Sequence, residues 1–199
     1  MFRLITLLLF LQVRLFAFSD IGVVTIAFSS GQAHTVRLYN SATDSIPYTS
    51  CETDVDLDSI LSSYYMYSGT STISYCCVAS THNRYCIRQA SVSTPLYWIE
   101  KDSSVTFSTW NDWWMSWGQT SAGSYGIHQA PDAHSPLVKQ ACDCNIVSID
   151  SVSGEWLRVK FSAQCGNDEV KCSLAKTKKP LWIQWRNGDN VFLYPYIAE

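Results

Sequence analysis

Short β-type runs separated by turn residues recur along this chain, and the pair that most constrains the fold lies near its C-terminal end. "LWIQW" at residues 181–185 and "NVFLYPY" at 190–196 are joined through Asn187-Gly188. Both turn residues tolerate the positive φ that a two-residue hairpin requires, so this step between apolar runs is a strong hairpin signal. Upstream, "EWLRVKF" places Leu157, Val159 and Phe161 on one face, and "EVKCSLA" does the same with Val170, Cys172 and Leu174. Alternation of this kind marks strands with one buried face. Leu181, Ile183 and Trp185 continue it. Four such runs predict an antiparallel meander, and Pro195 places the last strand at an edge.

The N-terminal half carries the same signature. "GVVTIAF" (22–28) and "AHTVRLYN" (33–40), joined by "SSGQ", predict a hairpin. "STISYCCVAS" and "NRYCIRQ" predict a second pair, and "PLYWIE" and "SVTFSTW" a third. One stretch changes period: Leu57, Ile60, Leu61, Tyr64 and Tyr65 form a helical stripe. Thr53 or Asp54 can cap it, and Asp54, Asp56 and Asp58 suit its positive end. The expected fold is all-β, an antiparallel Greek-key or β-sandwich-like arrangement with one short helix near residues 56–66. Residues 20–117 read as an N-terminal β lobe, 118–140 as a long loop or linker, and 141–199 as the C-terminal meander. The two β parts are either separate lobes or one domain.

Residues 1–19 read as a secretory signal peptide. Arg3 supplies a basic start, Leu7 to Leu11 an apolar run, and Ala17 and Ser19 small residues before a cut after Ser19. Arg14 would cost a retained membrane anchor roughly 2.5 kcal/mol or more, which favours cleavage. No later stretch reaches the ~18 apolar residues of a span, so a soluble, secreted chain is expected. Its eight cysteines, Cys51, Cys76, Cys77, Cys86, Cys142, Cys144, Cys165 and Cys172, all follow the leader. In an oxidising compartment they read as up to four disulfides of undetermined pairing, hence a disulfide-stabilised scaffold.

Loss of Arg3 and Arg14 lowers Lys+Arg from 14 to 12 against 17 Asp+Glu, a formal charge of −5. An acidic chain is a poor match for a phosphate backbone, so no nucleic acid partner is expected. No metal or cofactor motif emerges. An EF-hand counted from Asp54 would put Ser59 and Tyr65 where Gly and Glu are needed. Neither Cys76-Cys77 nor Cys142-x-Cys144 has zinc spacing. In a strand Cys76 and Cys77 point to opposite faces. His128, Asp132 and His134 have ligand and proton-transfer chemistry, although a solvated loop is the plainer account. No nucleophile elbow is present and no motif marks a carboxylate pair. Lys171, Lys176, Lys178 and Lys179 have the chemistry for anionic headgroups or sulfated sugars, but lysines also guard strand edges.

The stretch "TFSTWNDWWMSWGQ" (106–119) packs four tryptophans into eight positions. A helix would gather Trp110, Trp113, Trp114 and Trp117 on one side. A strand would set Trp113, Met115 and Trp117 against Trp110 and Trp114. Each indole can bury roughly 150–250 Å² in a core. Eight tryptophans are bulky for a small β protein, however, and exposed aromatic patches mark binding sites. Trp110, Trp113, Trp114, Trp117 and Tyr125 are therefore the candidate binding residues, for a carbohydrate, a membrane interface or a cell-surface protein. The function expected is a secreted, non-enzymatic binding or effector protein. A membrane-acting toxin or defence protein and a secreted hydrolase are the alternatives.

"DVDLDSILSSYY" followed by "STISYCCVAS" resembles the helix-then-strand passage of a βγ-crystallin Greek-key unit, without that family's leading aromatic–glycine strand motif. "VTFSTWNDWWMSW" is similar to the aromatic membrane-contact region of actinoporin-type cytolysins, a family from which the cysteine content departs. Each covers a small part of the chain, and neither transfers a function.

Overall fold

A computed structural model describes residues 20–28, 35–61, 63, 65–67, 71–88, 95–121, 126–138, 146–161, 174, 177–188, 190, 191, 193 and 195. In chain order these form β1 (Gly22–Ala27), β2 (Val36–Tyr39), β3 (Thr49–Cys51), α1 (Asp54–Ile60), β4 (Tyr65–Tyr67), β5 (Thr72–Ser80), β6 (Arg84–Arg88), β7 (Tyr97–Glu100) and β8 (Val105–Ser108). There follow α2 (Trp110–Trp117), β9 (Gln119–Ser121), β10 (Ile127–His128), β11 (Ile146–Ser153), β12 (Trp156–Phe161), β13 (Leu181–Gln184), β14 (Arg186–Asn187) and β15 (Asn190–Val191). The architecture is mostly antiparallel β-sheet with two helices.

The first sheet runs β3-β2-β7-β6-β5-β1-β8, and β4 pairs with β5 along the stretch that β6 leaves open. Only one of the three hairpins expected here forms, β5 with β6. β1 pairs with β5 and β8, and β2 with β3 and β7. The reason lies in burial. Gly22, Val23 and Val24 are buried in succession, so β1 is covered on both faces and occupies an interior position with a neighbour at each edge. β7 and β8 likewise pair with other strands, β7 with β2 and β6.

The second sheet runs β10-β13-β12-β11-β9. Leu157, Val159 and Phe161 are buried, as their alternation requires, and β12 pairs directly with β13. The expected strand at 169–175 lies outside the described residues except for Leu174, which is buried. The Asn-Gly hairpin forms as β14–β15, with Asn187 opposite Asn190 and Gly188 at φ 58°. Pro195 bridges Thr120 of β9, the terminal strand of this sheet. Residues 118–140, read as a loop or linker, contain β9 and β10, both paired into the second sheet.

The two faces of the first sheet serve different cores. Val24, Ile26, Leu38, Ile73, Cys77, Ile87 and Ile99 close one core with Leu57 and Leu61 from the α1 region. Val23 and Cys76 face the other, which α2 and the second sheet complete. Helix α1 is capped by Thr53, whose Oγ1 accepts from the Asp56 N–H at 3.0 Å. It ends at Ile60 rather than near 66, and β-prone Tyr65 to Tyr67 pair with β5 instead. A buried ion pair ties the chain start to β6: Arg88 Nε and an NH2 group donate to Asp20 at 3.2 and 2.6 Å.

The expectation of disulfide bracing is not supported. Cys51, Cys76, Cys77 and Cys86 are buried free thiols. Cys76 and Cys77 alternate into the two cores, Cys76 beside the buried Asp20–Arg88 pair. Burial pushes the Cys86 thiol up to about 11 and Cys77 up to about 12, with Cys76 raised further still. Cys142, Cys144, Cys165 and Cys172 lie outside the described residues.

Two predictions follow from these cores. Asp20→Ala leaves the Arg88 charge buried without its counter-ion, so the variant should lose about 3–5 kcal/mol in chemical denaturation. A thiol kept protonated and shielded is a poor nucleophile. Mass spectrometry after brief alkylation should therefore find Cys51, Cys76, Cys77 and Cys86 unlabelled in native protein and labelled after denaturation.

Candidate functional site

The tryptophan stretch folds as α2, a second helix that the single-helix expectation omits. Thr109 caps it: its Oγ1 accepts from the Asp112 N–H at 3.2 Å and its hydroxyl donates to Asp112 Oδ2 at 2.7 Å. Gly118 ends it in a left-handed conformation at φ 69°, its N–H bonded to the Trp114 carbonyl at 3.1 Å. Thr109-x-x-Asp112, the i, i+3, i+4, i+7 indoles and Gly118 together are a helix signature legible in the sequence.

The indoles point inward. Trp110 and Trp113 are buried and Trp114 is fully so. Trp114 meets Trp113 and Trp185 edge-on at 5.2 and 5.7 Å between ring centroids, and Trp110 lies 4.6 Å from Trp185. Trp117 is half-buried against the same core, and Tyr125 lies outside the described residues. Trp110, Trp113 and Trp114 therefore offer no face to a sugar or a membrane. The outer strip of the helix is Asn111, Asp112, Met115 and Ser116.

Of His128, Asp132 and His134, the structure pairs the last two, with His134 Nδ1 3.2 Å from Asp132 Oδ1. The His128 ring packs edge-on against Trp156 at 5.0 Å, with Nδ1 3.2 Å from the Ser135 carbonyl. Asp132 accepts from the His134 backbone N–H at 2.9 Å, which holds its carboxyl below the usual range. Among the described residues no three His, Cys, Asp or Glu side chains are placed to hold a metal ion.

A polar surface that sequence reading did not single out lies at one end of the first sheet. A cleft of about 460 Å³ is bordered by Asp44, His82, Asn83, Arg84, Glu100 and Lys101. Glu100 organises its floor. It accepts from the Tyr39 hydroxyl at 2.5 Å and pairs with Arg37 and Arg84 at 3.5 and 3.7 Å. The Arg84 guanidinium lies 3.5 Å from the Tyr39 ring centroid and donates to the Ser41 and Ala42 carbonyls. Burial and the Glu100 bond raise the Tyr39 hydroxyl above its ordinary value, so it remains a donor. Above this braced floor the exposed His82 and Asn83 side chains make no hydrogen bond among the described residues.

An aromatic pair lies on the opposite face of the same sheet, linked to the cleft through Lys101. Lys101 Nζ lies 4.3 Å over the Tyr85 ring, and Tyr85 stacks with Phe107 at 5.7 Å and 17°. Phe107 belongs to β8 and Tyr85 to β6, with β1 and β5 between them. Gly22 leaves the room: a Cβ there would meet the Phe107 ring at 2.8 Å and the Ser108 carbonyl at 2.3 Å. Phe107 remains 36% exposed.

No protein-family model and no curated protein sequence matches the chain. A solved structure, NlpC2 from Trichomonas vaginalis, matches 88% of this chain and 48% of its own length, at 13% identity and a TM-score of 0.34. The chain thus spans about half the length of that structure, and a likeness this distant carries no functional argument.

Helix α2 generates a contrast between two indoles. Trp114→Ala opens a large hole between the sheets and should cost about 3–5 kcal/mol in denaturant unfolding. Half-buried Trp117→Ala should cost clearly less. Equal losses would contradict the burial difference.

Proposed function

We propose that the protein is a secreted, non-enzymatic binding protein whose ligand is a neutral carbohydrate, held at the cleft and, past Lys101, on Phe107. The supporting observation is a braced polar cleft whose lining residue Lys101 reaches the Tyr85 ring, the stacking neighbour of the partly exposed Phe107. An oligosaccharide extending past Lys101 would pack one apolar C–H face on Phe107, while the hydroxyls of another of its sugar units meet the exposed Asn83 and His82 side chains. Glu100, Tyr39 and Arg84 satisfy one another and hold this surface in place before a ligand arrives, which lowers the ordering cost of binding. The scaffold is a two-sheet, sandwich-like arrangement, and the aromatic contact expected at α2 moves to β8 and β6. A membrane-acting role loses its insertion surface once Trp110, Trp113 and Trp114 are in the core.

An array of neutral oligosaccharides, followed by calorimetry on the hits, tests this. Phe107→Ala should weaken binding by on the order of tenfold through lost stacking, and Asn83→Ala should weaken it through a lost hydrogen bond. An array without hits, or hits that both variants bind as the wild type does, would sink the assignment.

A further inference from the structure

A second cleft, on the other sheet, carries the opposite chemistry. It has a volume of about 460 Å³, and its lining includes Arg158, Lys160, Lys178 and Lys179, one carboxylate, Asp150, and the buried Phe161 and Leu174. Asp150 is already engaged, since both Arg158 and Lys160 pair with it. Their hydrogen bonds hold its carboxyl below the usual range, so it is ionised at neutral pH. Lys178 and Lys179 are exposed, and their ammonium groups make no ion pair among the described residues. Four cations against one carboxylate leave the described lining with three positive charges, on a chain whose overall formal charge is −3. A concentration of one sign in a concave site focuses the field on a ligand of the other.

We propose that this cleft binds a sulfated polysaccharide. Arg158 and Lys160 are held on Asp150 while Lys178 and Lys179 are exposed and not paired with it, so the cations are not gathered on a single centre, which suits several anionic groups along a chain better than one small anion. A lipid bilayer fits less well. Surface-bound proteins add apolar insertion to electrostatics, and none of the large exposed apolar side chains among the described residues lines this cleft. The residues are separate from those of the neutral-sugar cleft, so the two assignments stand or fall independently.

The experiment uses the full protein with heparin as the probe, by calorimetry over a series of salt concentrations. Wild type should bind, and desulfated heparin should not. The Lys178→Ala/Lys179→Ala double variant should bind roughly tenfold more weakly. Its log Kd against log salt slope should fall by roughly two, one for each counterion-releasing contact removed. Both lysines are exposed, so folding should be unchanged by circular dichroism. Phe107→Ala should bind heparin as wild type does. Unaltered affinity in the double variant, equal binding of the desulfated polymer, or binding to phosphatidylserine vesicles without binding to heparin would each overturn the proposal.

Discussion

Trp114 has no exposed surface, and the two sheets meet across it and its neighbours Trp110, Trp113 and Trp185. This aromatic packing joins the halves of the molecule, because Val23 and Cys76 of the first sheet and Leu157, Val159 and Ile183 of the second belong to the same core. Edge-on and tilted ring contacts suit the quadrupoles of the indoles, and their size fills a gap that aliphatic side chains would leave partly empty. Helix α2 is the natural carrier, since eight residues of helix gather four rings on one side where a strand would split them. The Thr109 cap and the Gly118 stop then set its length.

The same geometry accounts for the thiols. A sheet with a core on each face sends successive residues in opposite directions, so Cys76 and Cys77 pack into different cores, Cys76 also against the buried Asp20. Bracing among the described residues comes instead from apolar packing and from the Asp20–Arg88 pair, two charges that are tolerable in the interior because each satisfies the other through two hydrogen bonds.

With Trp110, Trp113, Trp114 and Trp185 in the interior, the two clefts lie at a sheet end and on strand surfaces. One cleft is built on a self-satisfied network of Tyr39, Glu100 and Arg84, with Lys101 linking it to the Tyr85 ring. The other has four cations and a single ion-paired carboxylate in its lining. Their lining residues come from β-strands and adjoining turns that are distant in sequence. Linear spacing therefore marks neither of them as a site.

Local patterns determined much of the secondary structure. The β5–β6 pair, the alternation of β12 and β13, the hairpin turning at Gly188 just after the paired Asn187, and the Thr53-capped helix all follow from period, propensity and turn chemistry acting over a few residues. The indole stripe and its caps contain the second helix as well, although the stripe alone is compatible with either core or surface. What only the tertiary structure decided is partnership: which edge β1 pairs with, which core receives Cys76, and whether Trp113 faces ligand or interior. Those outcomes depend on surfaces brought together by the whole chain, such as Gly22 making room for Phe107 to reach Tyr85. Short-range preference fixes where a strand or helix begins and which way its side chains alternate. It carries no information about what will cover them.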